Sequence, residues 1–199
     1  MILESIVTSI DSKGCVNIAP MGPSIDWDLT TTDPIDQTIC LRPFQSSRTY
    51  SNLLATGLAV VHVTDNAELF TKAAVDAIEP SEVSDLIEPL ESTPWWTLRD
   101  CHRWFAVQIE SIDDSQPRTV MSARIARSAV VRPFFGFNRG KHAVIEAAIL
   151  ATRTHLMDEA EINSQLDYLQ PLVDKTGGPL ETAAFEFLRR KIDARFCRQ

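Results

Sequence analysis

Apolar and polar positions divide this chain into a strand-rich first part and a helical last part. Residues 101–112 and 118–131 are the longest strand-like segments, and residues 113–117 form a polar turn between them. In the first segment Phe105, Val107 and Ile109 show the period of two expected of a strand with unequal faces. Further strands are predicted at 1–11, 15–19, 25–30, 37–41 and 58–63.

Two short helices are predicted inside this strand-rich part. The first covers 50–54 and ends at Gly57, and the second runs from Asp65 or Asn66 to about Ile78. The acidic, proline-broken segment 79–100 predicts a long covering loop with an aromatic anchor at 94–96. We expect its tryptophans to pack the loop against the protein, with ligand contact as the alternative.

The chain becomes helical after about residue 135. A helix is predicted over 141–157, a second begins after Asp158, where Pro171 should kink or end it, and a third follows 177–179. About seven strands with short inserted helices predict a β-barrel plus α fold, with a small closed or split barrel. The predicted domains are a barrel at 1–135 and a three-helix subdomain at 136–199.

Composition and charge narrow the functional classes. The 199 residues are 44% hydrophobic and carry a formal net charge of −8. This charge argues against nucleic acid or an anionic membrane as a partner, because both select a basic face. The segment 1–5 lacks the basic and apolar pattern of a signal peptide, so a cytoplasmic location is expected.

Cysteine and histidine positions give no metal-site pattern, and no zinc site is predicted. The chain also lacks G-x-G-x-x-G, a P-loop, G-x-S-x-G and H-E-x-x-H. His62 lies in the middle of a predicted strand, where a packed core histidine is the favoured interpretation over a proton donor. The catalytic residues therefore stay unknown.

The stretch 42–72 carries the clearest candidate chemistry, and the relevant groups lie at its beginning. A strand ends before Arg42, a turn follows, and a helix begins near Tyr50. The first N–H groups of a helix lack internal partners and bear partial positive charge, so this end can hold a phosphate. The groups that would hold it are Arg42, Ser46, Ser47, Arg48 and Thr49. Helix capping by a serine, with both arginines in solvent, is the alternative.

Residues 20–23 interrupt the strand pattern with two prolines and a glycine. Proline removes a backbone donor, and Gly22 permits close approach of the backbone. Exposed backbone groups here would suit a planar ligand, and a simple sheet corner is the alternative.

These motifs, in their order along the chain, carry a resemblance to a known family. The segments 17–22, 41–44 and 47–53, with Gly-Phe-Asn-Arg at 136–139, resemble the flavin reductase-like FMN-binding split barrels. More narrowly, they resemble the domain-of-unknown-function 447 family. The resemblance covers nearly the whole chain.

The resemblance implies a split β-barrel of the FMN-binding type, forming a homodimer with FMN near the subunit interface. Ala19, Pro20, Met21 and Gly22 would line the flavin ring. Ser46, Ser47, Arg48 and Thr49 would hold the phosphate, with Arg42 and Asn52 close by. Asn138 and Arg139 would close the site from one subunit or the other, and the alternative for them is a helix cap and a surface cation.

The function implied is a flavoprotein that transfers electrons between NAD(P)H and an acceptor that the sequence does not identify. Because the flavin supplies the redox chemistry, no acid–base pair need be visible in the sequence. A flavin-binding carrier or sensor without turnover is the alternative, with 79–100 as a regulatory lid. A structural dimer that has lost its ligand is a third hypothesis.

Overall fold

The computed structural model describes residues 1–134 and 136–197. Backbone contacts group them into two compact units. The barrel unit contains residues 1–64 and 79–134, and the helical unit contains 65–78 together with the described residues from 136 onward. Each unit has its own hydrophobic core.

Six strands of the barrel unit form one antiparallel sheet, and two more form a small separate sheet. The strands are β1 (Ser5–Ile10), β2 (Val16–Met21), β3 (Thr38–Leu41), β4 (Leu58–Val63), β5 (Ile87–Pro89), β6 (Trp96–Leu98), β7 (Arg103–Asp113) and β8 (Val120–Val130). The order in the large sheet is β2-β1-β4-β7-β8-β3. This antiparallel arrangement is the split β-barrel that the sequence predicted.

Ser24 closes the sheet where its two edge strands approach each other. Its backbone exchanges two hydrogen bonds of 2.9 Å with Cys40 of β3 and forms a bridge with Ile2. Pro23 and Ile25 also pair with the first residues of the chain. The predicted strand at 25–30 is wrong, because the two bridges are both made by Ser24, and residues 25–30 contain no strand before the chain turns away.

The barrel interior is filled by alternate residues of its strands. The buried side chains include Val7, Leu41, Val61, Phe105 and Ile125, and all five are at most 1% exposed. The strand period of two places their neighbours on the outer face of the sheet.

Segment 79–100 covers part of the outer face and is not the structureless loop that its prolines predicted. It contains the helix α3 (Pro80–Leu86) and the β5–β6 hairpin. The Thr8 hydroxyl donates to the Trp96 carbonyl at 2.6 Å, and Trp95 Nε1 donates to the Val107 carbonyl at 3.2 Å. The Trp95 ring and the Trp96 backbone therefore fasten this segment to the sheet, and for Trp95 the predicted packing role is confirmed.

The other helices are α1 (Arg48–Thr56), α2 (Ala67–Ala74), α4 (Arg139–Thr152), α5 (Glu159–Thr176) and α6 (Pro179–Phe196). Pro171 lies inside α5, which continues to Thr176, so the helix does not end at the proline. Over the described residues, no helix is long and apolar enough to cross a membrane.

The helical unit includes α2, which the sequence interpretation placed in the barrel domain. Ala67 of α2 belongs to the same buried cluster as Val144 of α4, Leu166 of α5 and Phe185 of α6. The helix ends at Ala74, earlier than predicted, and Asp76 beyond it has a positive φ of 54°. The helical unit is therefore discontinuous in sequence.

Candidate functional site

The candidate phosphate turn is a hydrogen-bonded turn over residues 44–47. The Ser47 N–H donates to the Phe44 carbonyl at 2.9 Å, and α1 begins at the next residue. Ser46 and Arg48 are exposed here, and Ser47 is half-buried. The exposed hydroxyl and guanidinium groups lie at the helix end that carries partial positive charge.

Ser47 caps α1, as one of the two sequence interpretations required. Its Oγ accepts the Tyr50 N–H at 3.1 Å. The first turn of α1 contains no acidic residue. Arg48 and Thr49 are the first two residues of the helix, so their N–H groups have no acceptor within it. One cap bond is therefore made internally, and the donor set of the remaining turn suits an anion.

Two side chains that the sequence analysis did not single out fix this turn against the β7–β8 connection. Gln45 Nε2 donates to the carbonyls of Asp114 at 2.6 Å and Gln116 at 3.0 Å. The Tyr50 hydroxyl donates to Asp114 Oδ2 at 3.1 Å. Burial and this hydrogen bond raise the pKa of Tyr50. The turn is therefore held in place before any ligand binds.

Asn17 links the turn to the candidate ring-binding strand. Its Nδ2 donates to Thr49 Oγ1 at 3.1 Å, and Thr49 is only 3% exposed. The Thr49 side chain thus joins α1 to β2, while its backbone N–H stays in the first turn. Asparagine is unusual in a strand, and this is the feature of the sequence that could have indicated a special role for Asn17.

The ring-binding candidates Ala19, Pro20 and Met21 follow Asn17 along β2, Gly22 comes directly after the strand, and all four are half-buried. Because β2 is an edge strand of the described sheet, part of its backbone has no ladder partner. A Cβ on Gly22 would lie 2.8 Å from the Ile2 side chain. The glycine therefore permits close approach by another part of the barrel.

Two other candidates differ in accessibility. Arg42 is exposed directly after β3. Asn52 is 5% exposed, and its Nδ2 donates to Ser9 Oγ of β1 at 3.1 Å. The geometry gives the Asn52 side chain a packing role between α1 and β1, and its participation in phosphate binding stays a prediction.

Asn138 and Arg139 belong to the helical unit. Asn138 Oδ1 accepts the Lys141 N–H at 3.0 Å, and Asn138 Nδ2 donates to the Thr176 carbonyl at 2.8 Å. Asn138 is therefore the cap of α4, the alternative that the sequence left open, while Arg139 is exposed. Their contribution to a cofactor site stays a prediction.

His62 is a fully buried histidine of β4, as the sequence favoured. Its Nδ1 lies 3.0 Å from the Ile6 carbonyl, and its Nε2 lies 3.0 Å from the Leu98 N–H. Only a neutral ring with the proton on Nδ1 satisfies both partners. Burial lowers the pKa of His62 to about 4. This ring holds β6 on the sheet and is not placed to exchange protons with a substrate.

Family models match both parts of the chain. The N-terminal domain model of the protein of unknown function (DUF447) matches residues 3–132, and its C-terminal counterpart matches residues 138–190. This chain belongs to the DUF447 family. The resemblance read from segments 17–22, 41–44, 47–53 and 136–139 is confirmed.

Solved structures share the fold of this DUF447 protein. An FMN-bound DUF447 protein from Methanosarcina mazei is 21% identical, with a TM-score of 0.79 over 96% of this chain and 94% of the other. Component B of nitrilotriacetate monooxygenase from Bacillus cereus is 18% identical, with a TM-score of 0.51 over 66% and 71% of the two chains. The flavin reductase HpaC, in complex with NADP+, is 16% identical, with a TM-score of 0.52 over 68% and 83%.

Proposed function

We propose that this DUF447 protein binds FMN non-covalently in its barrel unit. The observation that carries the proposal is the contact of 3.1 Å between Asn17 and Thr49, which joins the edge strand β2 to the acid-free start of α1. A ligand with a flat ring and a phosphate needs an exposed strand edge for the ring and an anion site for the phosphate, close to each other. The FMN-bound relative from Methanosarcina mazei supports the same cofactor.

The donor set fits a phosphate monoester. Arg48 and Ser46 are exposed at the turn, Arg42 is exposed nearby in sequence, and the first helical N–H groups add backbone donors. Guanidinium groups form charge-assisted hydrogen bonds with phosphate, and a helix start favours its negative charge. The first turn of α1 itself contains no carboxylate.

The spacing along β2 fits a ligand with a linker between ring and phosphate. Residues 19–21 lie two to four positions beyond Asn17, or about 7–13 Å at the rise of a strand. Asn17 marks the phosphate end, because it contacts the second residue of α1. The ribityl chain of FMN would extend between the two ends.

The visible spectrum of the purified full-length chain tests the cofactor. We expect a yellow protein that releases FMN on denaturation, or a colourless one that gains flavin absorbance and thermal stability when FMN is added. A protein that stays colourless and gains no stability with excess FMN would refute the assignment. Riboflavin, which lacks the phosphate, is the matched control and should bind more weakly.

The proposed activity is electron transfer between NAD(P)H and an acceptor. Bound FMN would supply the redox chemistry, while the chain holds the ring and limits access to it. The burial and double hydrogen bonding of His62 argue against this histidine as an acid in the reaction. The flavin reductase fold and the NADP+ complex of HpaC support nicotinamide as the donor.

Anaerobic mixing distinguishes turnover from a carrier or sensor. Protein loaded with FMN is mixed with NADH and, separately, with NADPH, and flavin absorbance is followed. Bleaching by either nucleotide supports the oxidoreductase. If neither nucleotide bleaches the flavin while dithionite does, the non-catalytic alternative is correct.

We also propose a homodimer with the cofactor near its interface. Three apolar side chains, Phe44, Ile112 and Val120, are 39–54% exposed around the β7–β8 connection that holds the phosphate turn. Exposed apolar groups close to a ligand site favour association. Size-exclusion chromatography with light scattering measures the mass of the protein directly. A monomer at all concentrations tested would overturn the proposed homodimer.

A further inference from the structure

A groove in the helical unit forms a second candidate site. It lies between α2 and α6 and has a volume of about 270 Å³. This volume is close to the lower end of the range of about 300–1,000 Å³ typical of small-molecule pockets. The lining residues are Glu68, Thr71, Lys72, Leu180, Ala183, Ala184, Phe187 and Arg190. Each belongs to the helical unit, so the groove is built without the barrel.

The wall that α6 contributes is apolar. Leu180, Ala183, Ala184 and Phe187 follow the spacing i, i+3, i+4 and i+7, which places them on one stripe of the helix. Leu180 is 64% exposed, although a leucine on a helix surface is ordinarily covered when it lies in such a stripe. The apolar stripe therefore offers contact area to a ligand.

The wall that α2 contributes has an unsatisfied hydroxyl. Thr71 is 1% exposed, and its Oγ1 has no hydrogen-bond partner among the described residues. Buried polar groups are nearly always paired, and each exception calls for an explanation. A ligand with a polar atom in the groove would supply the missing partner.

The rim of the groove contains two cationic side chains in an acidic protein. Its charged residues are Arg190, Lys72 and Glu68, so the lining has one net positive charge, while the chain carries −8. Lys72 lies 3.4 Å from Glu68, and the guanidinium of Arg190 lies 3.9 Å from Glu186. Ion pairs exposed in this way are weak, so a bound carboxylate can compete for the Arg190 guanidinium.

We propose that the α2–α6 groove binds a small carboxylate with an apolar tail. The tail packs on the stripe of α6, the carboxylate lies beside Arg190, and Thr71 donates to a polar atom of the ligand. The groove is distinct from the barrel site proposed for FMN and does not depend on it.

Calorimetric titration of the full chain with octanoate, in the presence of excess FMN, tests the proposal. FMN is included so that any flavin site in the barrel is filled. We expect one octanoate per chain, and octan-1-ol, which has the same tail without the charge, should bind about threefold more weakly. If the two compounds bind equally, the groove does not recognise a carboxylate and the proposal is wrong. If octanoate does not bind, the groove is not a ligand site.

Replacing either of two exposed alanines of α6 by tryptophan shows where octanoate binds. Ala183 and Ala194 are both exposed on α6, but only Ala183 lines the groove. Ala183→Trp should fill the groove and abolish octanoate binding, while Ala194→Trp should bind as the wild type does. If both variants bind equally, the ligand is elsewhere and the proposal is wrong. The mass of both proteins is measured as well. If the wild type has the mass of two chains and Ala183→Trp has the mass of one, a second copy of the chain covers the groove, and the proposal is also wrong.

Thr71→Val tests the hydroxyl with a second readout. Valine has a similar shape and no polar group, so the ligand-free protein should be slightly more stable than the wild type to heat. Octanoate affinity should fall about three- to tenfold, as expected for loss of one hydrogen bond. Unchanged affinity with raised stability would show that the Thr71 hydroxyl does not contact the ligand.

Discussion

Two helices in this protein begin with nearly the same chemistry and use it differently. Helix α1 starts with Ser47 as its cap and Arg48 as its first residue, and α4 starts with Asn138 and Arg139. Neither helix has an acidic residue in its first turn. By local sequence alone, both ends suit an anion.

The protein itself fills the start of α4. Lys141 Nζ lies 3.2 Å from Asp65 Oδ2 and 3.0 Å from Glu181 Oε1. A Cβ on Gly140 would lie 2.7 Å from the backbone of Gly177, so this end is closely packed. Burial opposes the charge on Lys141, but hydrogen bonds to Glu181 and Asp65 outweigh it and raise the pKa of Lys141. The cation is already neutralised by carboxylates distant in sequence.

The start of α1 has a carboxylate contact of a different kind. Asp114 accepts a hydrogen bond from the Tyr50 hydroxyl, and Arg48 and Ser46 remain exposed. The difference teaches that two helix starts with similar local sequence acquire different surroundings from the fold, and at α4 two carboxylates contact the cation of the first turn. Tertiary structure determines which side chains surround a helix start, and the local motif alone does not predict them.

Lys141→Met should give the largest effect, because it leaves two carboxylates without their cation in a partly buried site. We expect the helical unit to lose about 2–4 kcal/mol of unfolding free energy. Urea unfolding followed by far-UV circular dichroism measures this loss. Tryptophan fluorescence separates the units, because all four tryptophans belong to the barrel unit.

Lys175→Met is the matched control for Lys141→Met. Lys175 is an exposed lysine of α5, so its loss should change the unfolding free energy by less than about 0.5 kcal/mol. Equal effects of the two variants would show that the Lys141 cluster contributes no specific stability, and the contrast between the two helix starts would fail.

Acid should selectively weaken the barrel unit through His62. Its pKa of about 4 in the folded protein lies below the ordinary value of 6.5, so the unfolded chain takes up the proton first. The contribution of neutral His62 is therefore complete above pH 6.5 and is lost progressively as the pH falls to about 4. The loss amounts to about 3 kcal/mol.

Comparison of the wild type with His62→Gln isolates this contribution, because both proteins contain the same carboxylates. The stability difference between them, followed by tryptophan fluorescence, should shrink as the pH falls from 7 to 4. The exposed His155 gives the control His155→Gln, which should follow the wild type at every pH. A constant difference between wild type and His62→Gln would contradict the assignment of a neutral buried ring.

Local signals were sufficient for the elements that local sequence determines. β4 has its predicted bounds, because a run of apolar residues follows Gly57, whose φ of 68° ends α1. The cap of α5 at Asp158 was also predicted, and the cap of α2, Asn66, is one of the two residues that the sequence offered; both side chains bond the backbone three residues on.

Features that depend on distant partners were beyond the sequence. No periodicity shows that α2 packs with helices that follow about 70 residues later, so the barrel prediction included it. The same holds for the site. The serine cap and exposed arginine of α1 could be predicted, but the contact between Asn17 and Thr49 joins residues that are 32 positions apart. A propensity-based interpretation cannot supply such pairings.

Arg48→Gln and Arg139→Gln compare the two helix starts at the same helical position. Arg48→Gln should weaken FMN binding about tenfold to a hundredfold, because a charge-assisted contact with phosphate contributes about 1.5–3 kcal/mol. Arg139→Gln should leave the affinity within about threefold of the wild type, as expected for a surface cation. Fluorescence quenching of added FMN gives both affinities.

The result for either arginine variant can contradict the proposed difference between the two helix starts. If Arg48→Gln binds FMN as the wild type does, the phosphate is not at the start of α1, even if flavin binds. If Arg139→Gln loses as much affinity as Arg48→Gln, the 136–139 segment contributes to the cofactor site, as the family resemblance implied. Circular dichroism of each variant confirms that its fold is unchanged.

The smallest effect is expected at Asp114, the carboxylate beside the candidate phosphate turn. Asp114→Asn removes a negative charge and should strengthen FMN binding by about twofold to fivefold at low salt. Tyr50→Phe removes the hydrogen bond of 3.1 Å but keeps the charge, so it should give no such gain. Because salt screens exposed charges, the advantage of Asp114→Asn should disappear near 1 M salt, where the Debye length is about 3 Å. A gain that persists in high salt, or that Tyr50→Phe also shows, would mean that Asp114 acts through the shape of the turn and not through its charge.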